Sequence, residues 1–368
     1  MRGPFRSPSF PGTLLLAGAA ILALFAADTF LAKIEQAESR AQADRLFREG
    51  QSLLSRGDSR KAMEKFKGAI SAERGNRQYR LSLAEVQIAA GDTTAARDVL
   101  NGLLQSDPGD GRTNLLMARV LRKEENTAPA ISYYRRAIYG QWQPDPAQSR
   151  LAVRYELIDL LARQDAKQDL LAELLPLDEQ APHDVATRLR IGRLFLTAGT
   201  PTRAAEVFRE ILHDHPADAG AQGGLGQAEF DQGHYRIAQR HLQAALRLSP
   251  ADATLQRSIG LCDELLHLDP TLRGLGPAER YRRSVKLLAL VAEEAGRCVG
   301  PASSPDLREL TAKAREAADA RVRPARYAEV AEANLDVAEQ LWQARRKECT
   351  LPLASDSPLA LVLARLAQ

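Results

Sequence analysis

Residues Val185–Asp252 decide the fold, because they contain one pattern twice in succession. The first half reads VATRLRIGRLFLTAGTPTRAAEVFREILHDHPAD and the second reads AGAQGGLGQAEFDQGHYRIAQRHLQAALRLSPAD, each 34 residues long. The corresponding residues are Gly192 and Gly226, Phe195 and Glu229, Gly199 and Gly233, Ala204 and Ala238, Phe208 and Leu242, Ile211 and Ala245, and Pro216 and Pro250. A repeated period of this length predicts helical units that stack on one another.

The residue types in this pattern have a physical explanation in a pair of helices. Gly192 and Gly226 have no side chain, so a neighbouring helix can approach closely there. Gly199 and Gly233 suit the position just after a helix end, where a positive φ is often required. The proline near the end of each half stops the second helix, because proline lacks the backbone N–H and clashes with the preceding turn. Two helices cannot bury their apolar faces alone, so the units must stack.

The order of these residues resembles the tetratricopeptide repeat (TPR) family: a small residue in a first helix, a Gly turn, an Ala, an aromatic residue or Leu, and then Pro. The resemblance covers roughly residues 43–300. It implies an all-α fold, a right-handed α-solenoid of helix-turn-helix repeats. It also implies a non-catalytic scaffold that holds peptides or partner domains on a concave face lined by the first helices. The abundance of Leu, Ala, Arg and Glu, with only 5% aromatic residues, favours helix over strand independently.

Extending the 34-residue register divides the whole chain. The predicted parts are a short tail at 1–11, a transmembrane signal anchor at 12–32, a connecting helix at 33–42, repeats one to three at 43–144, a degenerate repeat at 145–184, repeats five and six at 185–252, a divergent repeat or cap at 253–300, and a C-terminal helical region at 301–368. The register breaks at Tyr139–Pro144, where we predict an offset that Trp142 covers, or a Trp142 exposed for a partner. In repeat three Glu125-Asn126 replaces the Gly turn, and Asn126 is the residue expected to tolerate the left-handed conformation.

The N-terminal apolar run predicts a membrane anchor. Thr13–Ala27 is rich in Leu and Ala, and the apolar character resumes at Thr29–Ala32. Together they supply about 20 residues, which as a helix just span a bilayer. A cleaved signal peptide is the alternative, but cleavage after Ala26 would put Leu24 at the −3 position, where a small residue is expected. A buried helix of a soluble protein is the third interpretation.

The orientation of this anchor is not set by charge, because Arg2 and Arg6 on one side are balanced by Lys33 and Arg40 on the other. A short tail followed by a large domain is typical of a signal anchor with an exported domain. We therefore predict a single-pass protein of the inner (cytoplasmic) membrane with its repeats in the periplasm.

Composition argues against several classes of function. Lys and Arg number 50 and Asp and Glu number 47, and the two signs are interspersed, which argues against nucleic-acid binding. No nucleophile, histidine and acid follow a catalytic spacing. His213-Asp214-His215 precedes Pro216 at a repeat end, where polar turn residues are expected, so no metal site is predicted there. We predict a protein that is not an enzyme and needs neither metal nor cofactor.

The exposed positions of the first helices are the candidate site. The candidate protein-binding residues on the concave face are Asp44, Gln51, Arg112, Arg119, Arg122, Lys123 and Arg193. A basic patch in repeat three would attract an acidic segment or a C-terminal carboxylate, because Arg forms paired hydrogen bonds with carboxylates. The alternative is that these charges only keep a helix surface hydrated. The predicted partners are proteins or peptides.

The C-terminal part contains a basic and an apolar group of residues. Arg280, Arg282, Arg283 and Lys286 are expected on a solvated outer face of the cap rather than in a ligand site. The apolar stripe Leu359, Val362, Leu363 and Leu366 is expected to pack back on the repeats, with a partner groove or a homo-oligomer contact as the alternatives.

The three cysteines, Cys262, Cys298 and Cys349, include no CxxC pair, which makes a structural zinc site a poor explanation. If the last helices run up, down and up, Cys298 and Cys349 end helices that point the same way. A disulfide between them is then geometrically possible in an exported domain, and two separate thiols are the alternative. Cys262 lies in an apolar helix pattern and is predicted to be a core residue.

These features together predict a membrane-anchored TPR scaffold that binds proteins or peptides in the assembly of an envelope complex. The alternatives are a secreted soluble TPR protein released by signal cleavage, and an accessory subunit of a secretion or biogenesis machine.

Overall fold

A computed structural model describes residues 10–300, 303–349 and 357–366. Within these ranges all regular elements are helices, and the one β-type contact is a bridge between Asp110 and Gln141. The all-α fold is therefore as predicted. The chain forms two compact units, Met1–Leu161 (unit 1) and Ala162–Gln368 (unit 2).

The helices follow the predicted pairs. They are α1 Phe10–Ser55, α2 Ser59–Ala72, α3 Arg77–Ala90, α4 Thr93–Ser106, α5 Gly111–Lys123, α6 Thr127–Ile138, α7 Pro146–Arg163, α8 Lys167–Gln180, α9 Val185–Thr197, α10 Pro201–Asp214, α11 Ala219–Asp231, α12 Tyr235–Leu248, α13 Ala253–Leu268, α14 Pro277–Gly296, α15 Pro305–Asp319, α16 Tyr327–Glu348 and α17 Pro358–Leu366, with a short 3₁₀ turn at Pro324–Arg326.

The predicted anchor, the connecting segment and the first helix of repeat one form the single helix α1, which is 46 residues long. Its large apolar side chains at Leu22, Leu24, Phe25, Phe30 and Leu31 are 59–71% exposed. Across the described residues, no helix meets both the length and the apolarity that crossing a bilayer requires. The tail with Arg2 and Arg6 lies outside the described residues.

In repeats one, five and six a large residue of the second helix packs closely against a glycine of the first helix. A Cβ added at Gly50 would lie 2.6 Å from the Phe66 ring, and one added at Gly226 would lie 2.7 Å from Leu242. The large residues at this position are buried in every repeat from one to six: Phe66, Leu100, Tyr134, Leu174, Phe208 and Leu242. The close approach predicted at Gly226 is therefore confirmed.

The break in the register is an insertion. Ala118 and Ile158 occupy the small-residue position of repeats three and four, and they lie 40 residues apart instead of 34. Seven residues, Tyr139–Asp145, join α6 to α7, against four at the other junctions between repeats from α2 to α13, and α7 is also longer, with 18 residues.

The turns within repeats use a left-handed residue, as predicted for glycine. Gly199 and Gly233 have φ values of 73° and 77°. In repeat three the prediction for Asn126 was wrong, because Glu125 takes the left-handed conformation with φ 58°. Asn126 has φ −85° and precedes the first residue of α6. The turn thus keeps its geometry at the position where repeats one, two, five and six have glycine, and where Asp165 of repeat four is also left-handed.

Alanine substitution at two adjacent glycines of α11, Gly223 and Gly224, should have opposite effects on the free energy of unfolding. Phe208 is fully buried and its ring lies against both Gly192 and Gly224. A Cβ at Gly192 would lie 2.6 Å from the ring and one at Gly224 would overlap it. Because the ring cannot move away from one glycine without meeting the other, Gly224→Ala should lower the free energy of unfolding by about 2 kcal/mol.

Gly223→Ala is the matched control, since its added Cβ would make an ordinary contact 3.5 Å from Leu255. This change should raise the free energy of unfolding by about 0.5–1 kcal/mol, because Ala favours a helix over Gly by that amount. Urea titrations followed by circular dichroism measure both variants. If both variants change the free energy of unfolding in the same direction, Phe208 is not confined between Gly192 and Gly224.

The C-terminal helices of unit 2 share one core. Its buried residues include Leu287, Leu288, Val291, Leu341, Trp342, Leu359, Val362 and Leu363. The stripe of α17 therefore packs back on its own chain, as expected. Cys262 is fully buried, also as predicted.

Arg283 does not lie on the outer face, so this part of the predicted basic surface was wrong. Its side chain is buried, and its guanidinium donates to the main-chain oxygens of Leu266 and Asp269 and to Glu279. The reason is that α13 ends there, and a buried cation satisfies carbonyls that have no partner within the helix. Arg282 is exposed and pairs with Glu279.

Candidate binding site on the first-helix face

The first-helix face of unit 1 is the surface formed by the first helices of its repeats, namely the end of α1, α3, α5 and the start of α7. Polar side chains connect each of these helices to the next. Tyr79 donates to Asp44 across 2.6 Å, and Arg112 donates to Glu85 across 2.8 Å and to Gln78 across 3.2 Å. Burial, together with the bond to Asp44, raises the pKa of Tyr79 well above its usual value.

Arg119 forms the third connection, between α5 and α7. Its guanidinium forms a paired interaction with Glu156, with distances of 3.1 and 2.5 Å, and Tyr134 donates to the same carboxylate across 3.1 Å. Burial opposes ionisation of Glu156, but the hydrogen bonds from Arg119 and Tyr134 outweigh it and lower its pKa. Burial and the Glu156 charge raise the pKa of Tyr134 to about 12. Glu156 is therefore charged at neutral pH, and Tyr134 keeps its proton.

The remaining candidates differ in their surroundings. Lys123 donates to the main-chain oxygen of Ile88 across 2.6 Å, and Arg122 is half-buried. Gln51 is exposed on α1. Arg193 is exposed on α9, in unit 2, and so is not part of this face. The basic residues predicted in repeat three therefore do not form a free cationic patch, because Arg112, Arg119 and Lys123 bond to the neighbouring repeats.

The inserted segment after α6 builds a wall beside this face. Its backbone is fixed by two hydrogen bonds, from Gly111 N to Gln141 O at 2.9 Å and from Gln141 N to Gly109 O at 2.8 Å. Trp142 lies directly over Gly111, where an added Cβ would overlap its ring, and the indole N–H donates to Ala137 O at 2.7 Å. The segment is thus attached to the start of α5, and Trp142 covers this junction.

A cleft of about 580 Å³ lies between this wall and the first helices. Its lining consists of Arg77, Gln78, Leu81, Asp107, Asp110, Arg112, Gln141, Trp142, Gln143 and Ser149. Arg77 pairs with Asp110 and, across 3.3 Å, with Asp107. With Arg112 paired to Glu85 as well, the cations of the cleft are largely neutralised. Gln141 and Gln143 are exposed, and within the described residues their amides have no internal partner.

The chemistry of the cleft is suited to binding a peptide. Exposed amides can donate to and accept from a peptide main chain, and Trp142 supplies an apolar surface beside them. Nowhere in the described ranges does a group of three or more His, Cys, Asp or Glu side chains lie close enough to hold a metal ion. Sequence reasoning identified Arg112 and Trp142 but missed Gln141 and Gln143. The six-residue insertion was the signal that could have found them.

The fold and this site define a helical-repeat protein with a polar cleft, and comparison with known proteins specifies the repeats. The tetratricopeptide repeat family matches residues 53–120 and 195–260. Over these residues the TPR repeats predicted from the sequence are confirmed. Such repeats are typically non-enzymatic scaffolds for protein interaction.

Two kinds of similar protein were found. Cellulose synthase operon protein C from Komagataeibacter xylinus is 26% identical over 263 residues, which are 65% of this chain and 19% of that protein. The chain thus spans about a fifth of the length of this curated relative. Among solved structures, part of a TPR protein from Cytophaga hutchinsonii has a TM-score of 0.46 at 13% identity, covering 66% of this chain and 95% of the other. YrrB, a TPR protein with an unusual peptide-binding site, has a TM-score of 0.43 at 16% identity, covering 52% and 96%.

Proposed function

We propose that this protein is a membrane-anchored TPR scaffold that holds a segment of a partner protein in the cleft of unit 1. The observation that carries the proposal is the pair of exposed amides, Gln141 and Gln143, beside Trp142 in a cleft whose cations are already paired. This chemistry favours an extended, mainly uncharged polar segment over a strongly acidic one. The segment's main chain would bond to the amides, and an apolar side chain would lie against the indole.

The proposed location is the inner membrane, with the repeats outside the cytoplasm. It is supported by the apolar run at Thr13–Ala32 and by the exposure of Leu22, Leu24, Phe25 and Leu31 on α1. Resistance of the full chain to carbonate extraction, together with an intact mass that includes residues 2–32, tests the anchor. A mature protein that lacks these residues would instead establish the secreted form.

The proposed process is the assembly of an envelope complex. Its support is the similarity to cellulose synthase operon protein C, which covers only a fifth of that protein. An accessory role in another secretion or biogenesis machine is the alternative, and the identity of the partner distinguishes the two.

Site-specific photocrosslinking in cells tests the cleft. A photoreactive amino acid at Gln141 should give a discrete adduct with one partner, because this side chain faces the proposed segment. Gln105, an exposed glutamine on the second helix α4 of the same unit, is the matched control and should give no such adduct. Equal adducts at both positions, or an adduct at Gln105 alone, would refute binding in the cleft.

A further inference from the structure

Two arginine-rich segments of unit 2 are brought together by a pair of stacked tyrosines. The rings of Tyr281 and Tyr327 have centroids 4.6 Å apart and planes 9° from parallel. The Tyr281 hydroxyl donates to the main-chain oxygen of Ala320 across 3.2 Å. These contacts bring the start of α14 next to the segment that joins α15 to α16. Leaving out the buried Arg283, we name the other five arginines of these two segments the arginine cluster: Arg280, Arg282, Arg321, Arg323 and Arg326.

The cluster has fewer carboxylates than cations. Arg282 pairs with Glu279, which is shared with the buried Arg283, and Arg326 pairs with Glu329. Across the described part of the chain, the side chains of Arg280, Arg321 and Arg323 have neither a hydrogen-bond partner nor a carboxylate partner, and Arg280 Nε is buried without an acceptor. Asp319 is the remaining acid in these segments, and it is exposed.

This arrangement differs from that of the other conspicuous arginines. Arg112, Arg119, Arg188, Arg209 and Arg365 each pair with a carboxylate of a neighbouring helix. A buried guanidinium nitrogen without an acceptor is costly unless a ligand supplies one. Guanidinium groups are suited to carboxylates, with which they form two parallel hydrogen bonds. The cluster therefore lacks acids that a partner can supply.

The surroundings favour a polypeptide over a lipid surface. Membrane-binding basic surfaces also present apolar side chains that enter the bilayer. Among the described residues, the large apolar side chains that are strongly exposed all lie at or before Leu248, so none accompanies the arginine cluster. The stacked tyrosines are half-buried, and aromatic residues are enriched in protein interfaces.

We propose that the arginine cluster is a second binding surface, which takes an acidic segment of a partner protein. The carboxylates of the segment bond to Arg280, Arg321 and Arg323, and its chain lies along the Tyr281–Tyr327 stack. This surface is separate from the cleft of unit 1 and prefers a different ligand, an acidic one. The proposal rests on the proposed function only in taking the ligand to be a polypeptide.

The test is the binding of a fluorescein-labelled octaglutamate peptide to the full chain, measured by anisotropy at low and physiological salt. Arg321→Glu/Arg323→Glu should weaken binding about tenfold or more, which corresponds to at least 1.4 kcal/mol. Arg346→Glu/Lys347→Glu makes the same change in net charge at exposed sites near the other end of α16, about 30 Å away along the helix. This control should change the affinity less than twofold.

Three results would overturn the proposal. The first is no binding of the peptide at low salt, where charge attraction is strongest. The second is an equal loss in both double variants, which would mean attraction by net charge alone. The third is binding of vesicles containing phosphatidylglycerol, lost in the cluster variant, without binding of the peptide. Unchanged circular dichroism of each variant confirms that it is folded. Because crosslinking at Gln141 reports on unit 1 only, failure here is distinguishable from failure of the cleft.

Discussion

Arg365→Ala should lower the free energy of unfolding of unit 2 by about 3 kcal/mol, because it leaves a buried carboxylate without a charge partner. Asp269 is fully buried, and Arg365 Nη1 donates to its Oδ2 across 2.9 Å. The other oxygen, Oδ1, accepts from the main-chain N–H and the hydroxyl of Thr271. Arg365 also lies over the Tyr235 ring, 5.3 Å from its centroid. This residue therefore fixes α17 to α13 by charge and by stacking.

The second variant of this test removes the charge as well as its partner. Asp269→Asn in the Arg365→Ala background should recover more than half of the loss, because an amide tolerates burial at lower cost than a carboxylate. The signal can come from unit 2 alone, since the two tryptophans are Trp142 and Trp342, and Trp142→Phe leaves only the latter. Urea unfolding followed by Trp342 fluorescence gives the free energies. If Asp269→Asn recovers nothing, the loss comes from packing and not from the buried charge.

The ion pair between Arg365 and Asp269 shows where sequence reasoning stops. The apolar stripe of α17 predicted its packing, because Leu359, Val362 and Leu363 follow helical spacing. The pair joins residues 96 positions apart in a part of the chain without a repeat, and no period relates them. Arg283 was misplaced for the same reason, because the 34-residue register no longer specifies which face is inside after Asp252.

Within the repeats the sequence was more informative, and its failures were local. Gly226 was predicted as a site of close approach because the period aligned it with Gly192. Gly224 was not, since its contact with Phe208 belongs to the neighbouring repeat. In the candidate site, Arg112 and Arg119 were placed on the first helices correctly. Their partners, Glu85 and Glu156, lie on adjacent first helices, 27 and 37 residues away. A single sequence does not show which charges on neighbouring helices meet.

The arrangement of the last helices also bears on the predicted disulfide. The structure pairs Cys298 with Cys349, with their Cα atoms 5.9 Å apart, at one end of the bundle of α14 and α16. The bond closes a loop between residues separated by 51 positions. In the chain-entropy description, a loop of this size restricts the unfolded state enough to stabilise the fold by about 4 kcal/mol. The bond persists only in an oxidising compartment, so it also bears on the proposed location.

Cys298→Ala should therefore lower the free energy of unfolding of unit 2 by about 3–4 kcal/mol in protein made in an oxidising compartment. Cys349→Ala should cost the same, and the double variant should cost no more than either, because each change removes the same bond. Trp342 fluorescence in the Trp142→Phe background measures all three. If the double variant loses as much stability as the two single variants together, the two cysteines are separately packed thiols, since the effects of independent sites add. Non-reducing peptide mapping supplies the direct evidence: a linked pair of peptides requires the bond, and alkylation of both cysteines in unreduced protein from an oxidising compartment rules it out. The same mapping on chain lacking residues 1–32 and made in the cytoplasm should find both thiols free, which ties the bond to export and not to the sequence alone.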